Sequence, residues 1–197
     1  VISKYRYMNN FDKDFIKFVI SCNALQYGKF TLKDGSESDV YFNTASFDTG
    51  LKIKSLARFF AHKIFNGTPN CNLIYGSAYK GIPLATAVAM ELGHMKGTEV
   101  GYLFNRKEEK KHGDKGIFIG KTPNKSDVIV FVDDVITSGK TKEDGIKLLQ
   151  DNFGASIASI LVAVDRRDEH IDISDVPVQC LATLDTIRTF YKRSKNV

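Results

Sequence analysis

Apolar and polar positions along the chain follow two different periods, and the chain switches between them repeatedly. Phe11, Phe15, Phe18, Val19, Cys22 and Leu25 recur every three or four residues, which predicts an amphipathic helix over 11–25. Leu56, Phe59, Phe60, Ile64 and Phe65 give 51–65 a second apolar stripe of the same kind. Between these helices, 29–47 reads as irregular or β-like, with turn formers at Gly28, Asp34-Gly35 and Asp39. Short runs rich in β-branched and aromatic residues then predict strands at 72–75, 99–104, 128–132, 157–164 and 178–181. Helical patterns return at 83–92, 141–152 and 185–194. Strands and helices taking turns in this way predict an α/β fold. Its sheet should be twisted, mainly parallel and covered by helices on both faces, with right-handed crossovers.

One stretch breaks the rhythm. Residues 105–125, NRKEEKKHGDKGIFIGKTPNK, are dense in charge and glycine and lack an apolar period. A loop of that length is expected to be functional or disordered. Composition narrows the class without deciding it. Hydrophobic residues make up 43% and charged residues 26% of 197, enough for one domain with a real core. No apolar run nears the roughly 20 residues that span a bilayer, and no signal-peptide pattern opens the chain. Cys22, Cys71 and Cys180 are odd in number, widely spaced and set among apolar residues. They read as reduced core thiols, and a cytoplasmic protein is expected. A net charge of +5 suits nucleic acid and small anionic substrates equally.

The segment that carries chemistry is 128–141, VIVFVDDVITSGKT. It begins as a buried parallel strand and ends in a glycine turn that opens a helix. Such a junction aims backbone N–H groups and the positive end of a helix dipole at one spot. Thr137, Ser138 and Thr141 add hydroxyl donors, and Gly139 permits close backbone approach. An anion is the natural occupant. The ending GKT suggests a triphosphate loop, but Asp134 stands where that motif needs its first glycine, and a carboxylate there would face the phosphates. Asp133 and Asp134 can instead accept hydrogen bonds from the vicinal hydroxyls of a ribose while the loop holds its 5′-phosphate. A plainer reading has the pair only beginning a loop and capping a helix; the Thr-Ser-Gly that follows favours the ribose.

This run resembles the signature of the type I phosphoribosyltransferases, which bind 5-phosphoribosyl 1-diphosphate at this junction. The resemblance implies their fold, a mainly parallel sheet flanked by helices with a small hood. Residues 1–197 would then be one phosphoribosyltransferase domain, with 1–50 as N-terminal helix and hood and 51–197 as α/β core. It also implies donor contacts from Asp133, Asp134, Thr137, Ser138, Gly139, Lys140 and Thr141.

Four further segments resemble one branch of that family, the orotate phosphoribosyltransferases, and extend the likeness from about Leu25 to about Arg166. FTLKDG and YFNTASFDTG, at 30–35 and 41–50, imply that Lys33 reaches substrate and that Tyr41 and Phe42 pack near the orotate ring. GSAYKGIPLA, at 76–85, resembles the diphosphate loop, with Tyr79 and Lys80 as contacts and Pro83 tolerated in the first helical turn. FNRKEEKKHGDKG, at 104–116, matches the catalytic loop at Arg106, Lys107, Lys110 and His112, and in the family that loop closes over the neighbouring subunit's diphosphate. Glu109 and Lys111 depart from the usual small or acidic residues there. VAVDRRDEH, at 162–170, ends in an Asp-Arg pair whose arginine binds orotate's carboxylate. Arg166 is the matching position, with Arg167 the adjacent alternative, and Thr137 also falls on the orotate side.

The chemistry so implied moves ribose 5-phosphate from diphosphate to a ring nitrogen of orotate. It needs charge stabilisation on the leaving group and no protein nucleophile. Mg²⁺ is the implied cofactor, held through substrate oxygens and waters, with no dedicated protein cluster. A homodimer sharing the 105–116 loop is implied, with no nucleic-acid or membrane partner. A purine-specific transferase is the main rival, disfavoured by Lys33, Tyr41-Phe42 and Arg166. A regulatory binder of the same donor would call for an added basic segment or a degraded loop. Neither is present in the sequence.

Overall fold

The computed structural model describes residues 10–31, 37–110, 116–167, 169 and 172–195, with only the backbone at 109, 110 and 195. In chain order the elements are α1 (Asn10–Ser21), β1 (Leu25–Thr31), β2 (Glu37–Phe42), a 3-10 turn (Thr44–Ser46), α2 (Gly50–Gly67), β3 (Leu73–Gly76), α3 (Gly81–Lys96), β4 (Gly101–Lys110), β5 (Gly116–Gly120), β6 (Ile129–Ile136), α4 (Lys140–Phe153), β7 (Ile157–Asp165), β8 (Val178–Thr183) and α5 (Leu184–Lys195). Six strands form one sheet in the order β5-β4-β3-β6-β7-β8. All neighbours are parallel except β5, which runs antiparallel to β4 at the edge. β1 and β2 form a separate antiparallel hairpin.

The central strands are apolar without alternation because both sheet faces are covered. All four residues of β3 are buried, as are Ile129 to Asp133 of β6. Ile74, Val130, Val132 and Leu161 face a core shared with Phe15, Phe60, Ala85 and Leu92 of α1, α2 and α3. Leu73, Tyr75, Phe131 and Val162 face the opposite core with Leu149 and Ile146 of α4. Cys22 and Cys71 are buried and Cys180 is half-buried, all three as free thiols.

Two elements depart from the sequence pattern for physical reasons. The first helix stops at Ser21, not at Leu25, because Asn23 adopts a left-handed φ of 54° and the Ala24 amide turns back to the Val19 carbonyl (2.9 Å). Leu25 then begins β1. The charged stretch after Asn105 is not an irregular loop at its flanks. β4 runs on to Lys110 and β5 returns from Gly116, with Phe104 opposite Ile119 and Asn105 opposite Phe118. A two-stranded ribbon at a sheet edge satisfies its backbone by cross-strand pairing and needs little apolar alternation. Phe118 is anchored against Phe153 at a 4.8 Å ring separation.

β3 and α3 approach each other through two glycines. A Cβ on Gly76 would overlap the Gly81 carbonyl oxygen and lie 2.9 Å from Ala85 Cβ. Both obstacles belong to a packed helix, so nothing can swing aside. Gly76→Ala should therefore cost about 3 kcal/mol, the upper end for overpacking, read as a lowered urea midpoint at unchanged m.

Candidate active site

The site follows from topology. β3 has β4 on one side and β6 on the other, so the crossover direction reverses between β3 and β6. Open α/β sheets bind ligands outside the carboxyl ends of strands at such a switch point. Gly76 pairs with Val132, so the turns leaving β3 and β6 emerge side by side. Each turn opens a helix, α3 of 16 residues and α4 of 14, and both N-termini favour an anion.

The β6–α4 turn is built around Gly139. Its φ of 82° suits glycine, and a Cβ there would sit 2.5 Å from Ile173 Cδ1. Thr137, Ser138, Lys140 and Thr141 are exposed around this buried pivot. Lys140 pairs outward with Asp144 at 3.0 Å, one turn along α4.

Asp133 and Asp134 lie inside β6, which runs to Ile136, beyond the predicted end at 132. Consecutive strand residues point to opposite faces, and the two carboxylates have different partners. Asp133 faces α4, where Lys142 Nζ sits 2.5 Å from Oδ2, and its Oδ1 accepts the Asp134 amide at 2.9 Å. Asp134 faces the α2 and α3 side. Its Oδ2 accepts Lys80 Nζ at 2.9 Å and the Thr44 hydroxyl at 2.7 Å. Burial pushes the Asp133 carboxyl up; the Lys142 ammonium opposes this and the Asp134 charge adds to it. Burial also pushes Asp134 up, but hydrogen bonds from Lys80 and Thr44 outweigh it and hold the group below the usual carboxylate range.

The β3–α3 turn contributes Tyr79 and Lys80, both largely exposed, across a cis Ala78–Tyr79 peptide. Lys107 of β4 lies over the Tyr79 ring at 4.6 Å, so the base of the ribbon touches the turn. Arg106 caps the Gly116 carbonyl across the ribbon at 2.8 Å, and Asn105 accepts the Tyr75 hydroxyl at 2.8 Å. A cavity of about 480 Å³ opens between the 3-10 turn, the start of α2 and the start of α3, with Thr44, Lys80 and Asp134 at its polar end and Phe47, Ile53 and Leu84 as apolar wall.

The hairpin β1–β2 stands over the same end of the sheet. Tyr41 is part-exposed and packs on Phe30 at 5.4 Å, while Phe42 faces the core against Phe47. Of the two arginines ending β7, Arg166 reaches across to β2, where its Nη2 donates to Ser38 Oγ at 3.0 Å. Arg167 folds back on Asp165 in a two-point fork, 3.0 Å from Nε and 2.8 Å from Nη2. α5 ties the hairpin from behind, through Arg188 on Asp39 at 2.7 Å and a 3.7 Å ring stack of Tyr27 on Tyr191.

A profile of the phosphoribosyl transferase domain matches residues 44–191. An orotate phosphoribosyltransferase of Halorhodospira halophila is 38% identical over 193 residues, covering 93% of this chain and 89% of the relative. One from Methylococcus capsulatus is 42% identical over 161 residues, covering 82% and 74%. The crystal structure of the Francisella tularensis orotate phosphoribosyltransferase superposes with a TM-score of 0.76 at 28% identity, covering 91% of this chain and 90% of that one. The chain belongs to the orotate phosphoribosyltransferases.

The described residues bring Lys80 and Asp134 to one cavity, with Tyr79 next to Lys80 and under Lys107, while Asp133 and the 137–141 turn lie at and after the same strand end. Lys33 and His112 lie outside the described residues, as does the side chain of Lys110. Two site residues were not singled out from the sequence. Thr44 sits in a quoted motif, yet its bond to Asp134 depends on a contact across 90 residues of chain. Lys142 lies just past the signature, where a lysine normally signals solvent.

Linkage at Asp134 has a definite sign. Its folded value is below its unfolded one, so it contributes stability above the ordinary carboxylate range, lost as pH falls through the folded value. Asp134→Asn should therefore flatten the loss of stability between neutral and acid pH. Urea midpoints at neutral pH and at acid pH for both proteins check this.

Proposed function

We propose that this crevice binds 5-phosphoribosyl 1-diphosphate and orotate together. The chain is an orotate phosphoribosyltransferase: it moves ribose 5-phosphate onto orotate, giving orotidine 5′-monophosphate and diphosphate in pyrimidine biosynthesis. The observation that carries the site assignment is the acidic end of β6 set between two helix N-termini that open at one point. The 137–141 turn takes the 5′-phosphate, with hydroxyls of Thr137, Ser138 and Thr141 and the first amides of α4 as donors. Asp133 and Asp134 accept the ribose hydroxyls; both Asp133 oxygens and Asp134 Oδ1 hold one donor each and keep a second lone pair, while Asp134 Oδ2 already takes Lys80 and Thr44. Tyr79 and Lys80 meet the diphosphate at the start of α3.

Arg166 takes orotate's carboxylate, and its reach to the hairpin supports this over Arg167, whose fork is already filled by Asp165. Tyr41 offers a ring face to the base and Phe42 supports it from the core side; the family resemblance assigns Lys33 to substrate. The C1′–oxygen bond to diphosphate breaks as the bond to the ring nitrogen forms, and the proton of that nitrogen passes to the departing diphosphate. Charge gathers on diphosphate, and the family resemblance assigns Arg106, Lys107, Lys110 and His112 to stabilising it. Closure of the ribbon keeps water from the activated sugar.

Both site aspartates hold ammonium groups. Mg²⁺ accordingly fits as an ion carried on donor oxygens and water, where it would neutralise the diphosphate. We also propose a homodimer in which the 105–116 segment serves the neighbour's site, residues 1–197 acting as one domain, and a cytoplasmic setting. No described helix is long and apolar enough to cross a membrane.

Supplied with 5-phosphoribosyl 1-diphosphate, Mg²⁺ and orotate, the protein should consume orotate and release diphosphate. Turnover with hypoxanthine or uracil, but none with orotate, would reject the assignment. The arginines should separate in a second experiment. Arg166→Ala should raise KM for orotate roughly tenfold or more, the loss of a charged hydrogen-bond pair. Arg167→Ala should instead lower the melting temperature and leave KM for orotate nearly unchanged.

A further inference from the structure

Lys142 is 4% exposed although it lies on a helix of an α/β protein, where lysines ordinarily reach water. It occupies the core stripe of α4, aligned with Gly145, Ile146 and Leu149. An apolar side chain would complete that stripe. The ammonium is instead held by two acceptors at the end of β6: the Asp133 carboxylate at 2.5 Å and the Val135 carbonyl at 2.7 Å. Burying a charge this deeply is costly unless it is paired and hydrogen-bonded, and replacing such a pair by apolar groups is often neutral for stability. Folding alone therefore gives little reason for a lysine here.

Its position supplies another reason. The phosphate turn leaves β6 after Ile136 and enters α4 at Lys140, so Lys142 spans the turn from one flank to the other. We propose that Lys142 is a positioning residue for the donor site: it keeps Asp133 as an oriented carboxylate and ties both flanks of the 137–141 turn together. This rests on the reading that Asp133 accepts a ribose hydroxyl. Around Asp133 the facing groups are few. α4 supplies Lys142, and β6 itself supplies Asp134, which is paired with Lys80 of the β3–α3 turn. β3 supplies the Tyr75 phenol, and the β7 residue opposite is the apolar Val162. Lys142 is the one direct cation partner of Asp133 among the described residues. Without it, burial and the Asp134 charge would favour a protonated Asp133, which is a poorer acceptor for a hydroxyl.

The test compares Lys142→Met, Lys142→Gln and Asp133→Asn by steady-state kinetics in both substrates, pH profiles and thermal melts. Lys142→Met should raise KM for 5-phosphoribosyl 1-diphosphate roughly tenfold or more, change kcat and KM for orotate much less, and move the acid limb of kcat/KM for the donor to higher pH. Lys142→Gln keeps a donor but not the charge. It should fold even if the Met variant does not, and it should show the same displaced acid limb. If donor KM and the acid limb match the parent in whichever variant folds while Asp133→Asn raises donor KM, Lys142 is merely structural and the proposal falls. If Asp133→Asn leaves donor KM unchanged, the ribose reading itself fails and takes this proposal with it.

Discussion

Two adjacent carboxylates at the end of a buried parallel strand impose the constraint around which this site is organised. Strand geometry sends Asp133 and Asp134 to opposite faces, so no single cation can serve both. Each charge needs its own partner from whatever packs on its side. α4 answers on one face with Lys142. On the other face, the β3–α3 turn brings Lys80 and the 3-10 turn after the hairpin brings Thr44. Three segments, two of them remote in sequence, are thus drawn to one strand end by the need to compensate charge that burial alone would neutralise.

The same strand end explains why the phosphate turn sits where it does. β3 and β6 are neighbours in register, and the reversal of crossover direction leaves a crevice that neither α3 nor α4 covers. Both helices start at its rim. Gly139 and the Gly76–Gly81 pair are the places where side chains would spoil the fit, one by backbone conformation and clash with Ile173, the other by contact between strand and helix. Packing and anion binding make compatible demands at these positions.

The hairpin and the ribbon are fastened to the sheet differently from each other. The hairpin is fastened by Leu25, Val40 and Phe42 in the core, by Ser38 to Arg166 and Asp39 to Arg188, and by the stack of Tyr27 on Tyr191. Exposed pairs such as Asp39–Arg188 contribute little stability, because water screens them. The ribbon depends on strand pairing, the Phe118–Phe153 contact and Lys107 over Tyr79. A site that must admit two substrates and then exclude water is well served by walls attached in this way to a rigid floor.

Much of this was legible in the sequence because it is local. The strand–turn–helix at 128–141 follows from apolar β-branched residues, a glycine and a helical stripe within one short span. The excluded triphosphate loop followed from a single aspartate. The alternation of helical and strand periods was enough for the parallel sheet. Other features depended on contacts that no local period encodes. The helix ended at Ser21 because Asn23 turned left-handed, and the charged stretch after Asn105 became a ribbon because two of its flanks found each other. Arg166 and Arg167 have identical chemistry, and only the positions of Ser38 and Asp165 told them apart. Lys142 is the sharpest case. Its place on the helical stripe is plain from spacing, but a lysine there reads as solvent-facing until β6 supplies a buried carboxylate opposite it. The sequence by itself determined which chemical groups lie near the ends of which elements, since that is set over a few residues. Which face each group takes and which charge meets it follows only from the folded chain, since that depends on pairing between segments as much as 149 residues apart.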